Sequence, residues 1–147
     1  MRKNLKFAVF LSITFSVIAL LLSGSNLLSY TIGSYITLPL GNLITWVGML
    51  SLPLSIYWGI KPYINLNFKP HKYVNKSLKI AISLGFLWAP LAYVLAGNWT
   101  FTFKDKQEFQ GSMEAMEWFW RLNGGTVLFP ILILFCFFIS RPFLKKQ

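Results

Sequence analysis

The sequence predicts an all-α membrane protein, a single domain over residues 1–147 built as a bundle of four transmembrane helices. Three observations predict this fold. Charged residues make up only 12% of the chain, whereas a soluble domain carries about 25%. Long uncharged runs separate the charged segments, and the basic residues concentrate in alternate segments. Both termini are predicted to be cytoplasmic, and an additional amphipathic helix is predicted at the outer membrane interface.

The uncharged runs set the number of spans. The runs without Asp, Glu, Lys or Arg are 7–60, 80–103 and 122–140. A helix needs roughly 20 apolar residues to cross the hydrocarbon, so the first run is long enough for two spans. Small and polar residues at 23–26 and 30–35 divide it. The predicted spans are 7–28, 38–60, 77–96 and 122–140, with an outer loop at 97–125.

The basic residues set the orientation. The amino terminus, the connection between spans two and three, and the carboxyl terminus together hold 11 of the 14 Lys and Arg residues. The opposite side holds the other three and all four acidic residues. Because short loops rich in Lys and Arg stay in the cytoplasm, both termini are predicted inside. The location expected is the cell's inner (plasma) membrane, as a multi-pass protein.

Residues 1–25 also have the layout of a signal peptide, with a basic start, an apolar stretch and then small residues. The apolar stretch exceeds the 7–15 residues of a typical signal core, so the first span is predicted to be retained. Cleavage would leave three spans without changing their orientations.

Small residues at helical spacing predict which helices pack closely, because membrane helices associate where their backbones can approach. Such rows occur in each of the first three spans. The predicted helix-packing residues are Ser12, Ser16, Gly48, Gly85, Ala89 and Ala92. These rows predict a tight core of spans one to three. Span four carries several Phe residues and no comparable row, so it is expected to pack more loosely, or to face lipid or a partner.

Proline and tryptophan also lie within the spans. Pro53, Pro90 and Pro130 occur once each in spans two, three and four, where they are expected to bend the bundle. Trp46 and Trp88 lie far from the interfaces where tryptophan is usual. Their indole N–H groups therefore need buried hydrogen-bond partners, and packing is predicted rather than ligand binding.

The residue types argue against most catalytic and transport chemistry. The spans carry no ionisable residue of the kind that marks proton-coupled transporters, pumps and voltage sensors. Cys136 and His71 are the single cysteine and histidine, which excludes a disulfide within the chain and an internal bis-histidine haem. His71 is predicted to be solvated in a cytoplasmic loop, and Gly124-Gly125 to form the turn into span four. No enzymatic activity, cofactor, metal or nucleic-acid partner is predicted.

The outer loop carries the predicted partner-binding residues. Over 107–122, apolar residues recur at steps of 4, 3 and 4, with the acidic residues mainly elsewhere. This spacing predicts an amphipathic helix at the interface, preceded by a short extended segment at 99–103. The helix is either a cap on the bundle or a docking surface. The candidate partner-binding residues are Phe109, Met113, Met116, Trp120 and Phe129.

Local motifs accompany this layout. They are Leu52-Pro53-Leu54 with Tyr57, the lysine-rich connection that follows, Ala89-Pro90-Leu91-Ala92-Tyr93, and Asn98-Trp99-Thr100-Phe101-Thr102. Together with four spans and cytoplasmic ends, they resemble the immunity proteins of pore-forming colicins over about a third of the chain. The resemblance implies an inner-membrane protein that binds the apolar hairpin of the toxin's pore-forming domain and keeps the pore closed.

Other functions remain open at this point. A small accessory or assembly subunit of a larger membrane complex fits the same residues, as does a lipid carrier with a proline-lined cavity. The expected partners are membrane lipids and another membrane-inserted protein.

Overall fold

The computed structural model of the protein describes residues 5–32, 38–99, 103 and 109–144. Within these residues, four helices are long and apolar enough to cross a membrane, which confirms the predicted number of spans. The helices are α1 (Leu5–Leu22), α2 (Leu40–Ile60), α3 (Lys69–Ala96) and α4 (Met113–Leu144). The first helix ends before its predicted boundary, while α3 and α4 each begin more than two turns early.

The two ends of the bundle differ in charge. Lys6 of α1 contacts the ring of Trp58 near the end of α2, and Arg141 of α4 contacts Tyr63 just beyond it. We call this the basic end. The opposite end, which we call the acidic end, carries Glu114 and Glu117 at the start of α4.

A short hairpin connects α1 to α2 at the acidic end. After a 3₁₀ turn at Asn26–Ser29, strand β1 (Thr31–Ile32) pairs antiparallel with β2 (Leu38–Pro39). The backbone N–H of Leu40 donates to the carbonyl of Tyr30 at 2.8 Å, so the hairpin leads directly into α2. The small and polar residues at 23–26 and 30–35 predict a break between the first two spans here, but they do not predict the strand pair.

Glycines of α2 receive large side chains of α1. A Cβ at Gly48 would lie 2.7 Å from Cγ1 of Val17, and one at Gly59 would lie 2.9 Å from Cδ2 of Phe7. Real Cβ atoms do not approach so closely, so a side chain at either position would require Val17 or Phe7 to shift. The two helices therefore meet through bulky residues of α1 seated on bare backbone of α2.

The residues of α1 that are buried against α2 are Thr14 and Val17. Ser12 and Ser16 are exposed and line an open groove beside the α1–α2 contact, together with Val17. The hydroxyl of Thr14 is 2.9 Å from that of Ser51 in α2, and this buried bond joins the two helices.

Helix α4 belongs to the core, which corrects the prediction of a loosely packed fourth span. Phe137 is only 1% exposed and clusters with Ile133, with α3 and with the end of α2. The other members of that cluster are Ile56, Ile60, Val74, Leu78 and Ala81. Because α4 packs against α3 while α1 contacts mainly α2, the core consists of α2, α3 and α4, with α1 on one side.

The predicted separate outer helix and the predicted turn at Gly124-Gly125 are also wrong. Residues 113–144 form one continuous helix, with Ser112 Oγ accepting from the backbone N–H of Ala115 at its start. Within α4, the Asn123 amide donates to the Phe119 carbonyl at 2.8 Å, so its polarity is satisfied by the helix itself. Residues 100–102 and 104–108, which include parts of the predicted strand and outer helix, lie outside the described residues.

Pro90 exposes a carbonyl of α3 that α2 then binds. Proline has no N–H, so the carbonyl of Phe86, four residues earlier, loses its helical donor. The indole Nε1–H of Trp46 donates to that oxygen at 3.1 Å and to the carbonyl of Gly85 at 3.2 Å. The prediction that the Trp46 indole has a hydrogen-bond partner is thus confirmed. Its N–H replaces the helical donor that Pro90 removes from the Phe86 carbonyl.

Pro53 leaves a carbonyl of α2 without its helical donor, and this carbonyl faces α3. The proline removes the donor for the carbonyl of Met49, and Gly85 of α3 lies directly against that oxygen. A Cβ at Gly85 would be 2.6 Å from the Met49 oxygen. The α2–α3 crossing therefore joins two proline-containing helices at their two altered turns.

This arrangement predicts coupling between Trp46 and Pro90. Trp46→Phe should lower stability by about 1 kcal/mol, because the Phe86 carbonyl loses the donor that replaces its missing helical N–H. In a Pro90→Ala background the same substitution should cost less, since the alanine introduced there supplies a backbone N–H. Unfolding of the four variants in mixed micelles measures this cycle, and equal costs in both backgrounds would contradict the assignment.

Candidate functional site

An open apolar groove runs between α3 and α4. Its half nearer the basic end has a volume of about 420 Å³. The residues that line it are Pro70, Tyr73, Val74, Ser77, Phe129, Leu132, Ile133 and Cys136. Its half nearer the acidic end has a volume of about 400 Å³. The residues that line this half are Leu84, Leu91, Val94, Leu95, Trp118, Arg121, Leu122, Gly125 and Thr126.

The two halves lie along the same stripes of α3 and α4, and we refer to them together as the α3–α4 groove. The lining residues of α4 recur at steps of three and four from Trp118 to Cys136, and those of α3 follow one stripe from Pro70 to Leu95. At 1.5 Å per residue, the lining stripe of α4 from Trp118 to Cys136 is about 27 Å long. This length is close to the thickness of about 30 Å of the hydrocarbon of a bilayer.

The groove is almost free of charge. Among the residues that the structure describes, Arg121 is the one charged residue that lines it. Arg121 lies on the rim at the acidic end, paired with Glu117 one turn earlier. The guanidinium also lies 5.2 Å from the ring centre of Trp118. The groove thus offers apolar surface along its length and a polar, aromatic rim at one end.

Glycine opens one wall of the groove. A Cβ added at Gly125 would meet no heavy atom within 4 Å, and the same is true at Gly124. Gly125 lines the groove and Gly124 does not. The α4 backbone is therefore accessible from the groove at Gly125, which gives a neighbouring helix room to approach closely.

The structure separates the five predicted partner-binding residues. Met113 is 84% exposed and Trp120 is 59% exposed, whereas Met116 is half-buried. Phe109 packs edge-on against Phe119 with ring centres 5.9 Å apart. Phe129 contacts the core and lines the α3–α4 groove.

These placements show why the predicted outer face is only partly exposed. The buried face of α4 passes through Phe119, Thr126, Pro130 and Phe137. That stripe is rotated from the predicted one, so Met113 and Trp120 face outward while Phe109 is packed. The helical spacing of the buried residues continues from Phe119 past Gly125 to Phe137. This spacing could have identified the buried face, but the predicted turn at Gly124-Gly125 interrupts it.

Hydrogen bonds join the helices at the acidic end. The indole of Trp88 donates to the amide oxygen of Asn123 at 3.0 Å, which confirms its predicted buried role. The Asn42 amide donates to the carbonyl of Trp99, and the ring of Trp99 stacks on Tyr93. These contacts enclose a cavity of only about 20 Å³, the size of a water site rather than a ligand site.

His71 lies at the basic end and is buried, which corrects the prediction of a solvated loop residue. It is 1% exposed and its ring centre lies 5.1 Å from Phe137 and 5.2 Å from Phe68. Its Nδ1 accepts the backbone N–H of Asn65 at 3.1 Å, so the neutral ring carries its proton on Nε2. Among the described residues, that buried Nε2 has no hydrogen-bond partner.

The burial of His71 follows from the early start of α3. Because the helix begins at Lys69, His71 occupies its first turn and continues the buried stripe through Val74, Leu78 and Ala81. Steps of three and four between these residues were the signal that could have identified it. The lysines on either side suggested a loop and obscured that pattern.

No family model, no curated protein and no solved structure matches this chain.

Proposed function

We propose that the protein is a non-enzymatic, multi-pass protein of the inner membrane that binds a membrane-inserted segment of another protein. Both termini lie in the cytoplasm in this proposal, because the basic end carries the lysine-rich segments. Its specific form is immunity against a pore-forming bacteriocin, in which the bound segment is the apolar hairpin of the toxin.

The α3–α4 groove is the observation that carries this proposal. It extends for about 27 Å along α4, is lined mainly by apolar side chains, and is open at the α4 backbone beside Gly125. An apolar transmembrane helix is the occupant of matching length and chemistry. In hydrocarbon, the binding of such a helix is stabilised by close packing against small residues and by shape complementarity, not by the hydrophobic effect.

The mechanism needs only lateral binding. A toxin helix seated in the groove contacts Phe129 and Leu132 along its length and Gly125 at its closest approach. The rim at Trp118 and Arg121 meets the polar end of the hairpin at the acidic side of the membrane. A hairpin held in this position does not assemble into an open pore.

A toxin challenge tests this proposal with Gly125→Leu. The added side chain has space around it, so the fold should be retained, while the acidic-end half of the groove is filled. Overpacking costs about 1–3 kcal/mol, so we expect the toxin dose that kills half of the cells to fall about 10- to 100-fold. The challenge uses the pore-forming toxin encoded beside this chain, in sensitive cells that express equal amounts of each variant.

Gly124→Leu is the matched control. It adds the same side chain one residue away, also into open space, but outside the groove, and should protect like the unmodified protein. Equal loss of protection in both variants would contradict a role for the groove. If no toxin is encoded nearby and the chain purifies in fixed ratio with a larger membrane complex, the accessory-subunit function replaces immunity.

A further inference from the structure

Two lysines from different helices surround one tryptophan at the basic end. Lys6 lies in the first turn of α1 and Lys61 directly follows α2. Their Nζ atoms are 4.3 Å and 4.4 Å from the ring centre of Trp58. Lys61 also lies 5.3 Å from the ring centre of Tyr57, which contacts Trp58 edge-on. The two ammonium groups are therefore less than about 9 Å apart.

No carboxylate of the described residues neutralises this pair. Those carboxylates are Glu114 and Glu117, which lie in the first two turns of α4. Arg141, near the other end of that helix, contacts Tyr63 beside Lys61. At 1.5 Å per residue, about 40 Å of helix separates Glu114 from the basic end. Two neighbouring ammonium groups repel each other, and an anion bound near both would offset that repulsion.

We infer that Lys6 and Lys61 form, around Trp58, a binding site for the phosphate group of an anionic phospholipid. Both lysines are exposed and lie at helix ends, where long basic side chains reach the headgroup region of a membrane. Tryptophan and tyrosine occupy the same depth. A lipid fits this position better than an acidic peptide, because apolar helix surface adjoins the lysines and receives the acyl chains.

The site is distinct from the α3–α4 groove, because it is built by α1 and α2. Its ligand is recognised by charge, with the ammonium groups donating hydrogen bonds to the phosphate oxygens. Both lysines contact the ring of Trp58, so the inferred site requires these two residues rather than basic charge in general.

Lipid binding by the full-length protein in mixed micelles tests this inference. Phosphatidylglycerol is titrated in place of phosphatidylcholine, and bound lipid is counted by native mass spectrometry. Lys6→Gln with Lys61→Gln should raise the Kd for phosphatidylglycerol roughly tenfold or more, since each lysine near a membrane surface contributes to anionic lipid binding. Lys72→Gln with Lys76→Gln removes the same charge from exposed positions of α3 and should raise the Kd several-fold less, because these two lysines contribute general attraction by charge and not the site at Trp58.

Three outcomes separate the alternatives. Equal weakening in the two double variants would overturn the site and leave only diffuse attraction by charge. Competition by millimolar inorganic phosphate as strong as that by the lipid would also overturn it, because the ligand would be a free anion. If the glutamine variant does not fold, Lys6→Arg with Lys61→Arg keeps both charges and must retain binding for the inference to stand.

Discussion

Gly85→Leu should lower the stability of the protein by at least about 3 kcal/mol, because the new side chain would meet backbone. The missing Cβ would already lie 2.6 Å from the Met49 carbonyl oxygen, and backbone cannot move aside as a flexible side chain can. Overpacking typically costs about 1–3 kcal/mol, and here the contact between the proline-altered turns of α2 and α3 is lost as well. Unfolding by denaturant in mixed micelles measures the change.

Gly124→Leu provides the comparison for that experiment. A Cβ there meets nothing within 4 Å, and replacing glycine within a helix gains up to about 1 kcal/mol. The control should therefore be neutral or slightly stabilising. Similar losses in both variants would show that α2 and α3 do not approach at Gly85.

His71→Ala should lower stability by about 2–4 kcal/mol, because it leaves a cavity between Phe68 and Phe137. His71→Phe should cost less than about 1 kcal/mol. It keeps the ring contacts and removes the buried Nε2 that lacks a partner, while the Asn65 N–H loses its acceptor. Lys72→Ala, at the exposed neighbouring position, should have little effect.

Thermal unfolding of these three variants separates the role of the ring from that of its nitrogens. If His71→Phe is as damaging as His71→Ala, the bond to Asn65 matters more than packing. Equal stability of His71→Ala and the unmodified protein would show that the contact between the start of α3 and the end of α4 is not part of the core.

The span count followed from hydropathy and charge because the membrane imposes those patterns on any chain that crosses it. The packing faces did not, because lipid-facing and buried positions are both apolar. In α1, the small residues Ser12 and Ser16 border the contact with α2, whereas the buried bond to that helix comes from Thr14, which bonds Ser51. A hydrogen bond between two hydroxyl groups 37 residues apart leaves no pattern in the local sequence that could predict it.

The fourth helix shows a second reason for error. Asn123 followed by two glycines indicates a turn in water, where freed backbone groups bind solvent. In α4 the Asn123 side chain bonds within its own helix and to Trp88, and hydrocarbon strongly favours unbroken helical hydrogen bonding. The α3–α4 groove could not be predicted for the same reason, since it depends on α4 being continuous from Trp118 to Cys136.

The paired prolines of α2 and α3 have a consequence for biosynthesis. Alone in lipid, α3 would carry the bare Phe86 carbonyl and α2 the bare Met49 carbonyl, and each unsatisfied backbone group costs several kcal/mol in hydrocarbon. When the two helices meet, the indole of Trp46 donates to the Phe86 oxygen, and the Met49 oxygen lies against the Cα of Gly85, which offers at most a weak C–H contact. We therefore expect α2 to wait beside the translocation channel until α3 has been synthesised, so that the two helices enter the bilayer together as a hairpin.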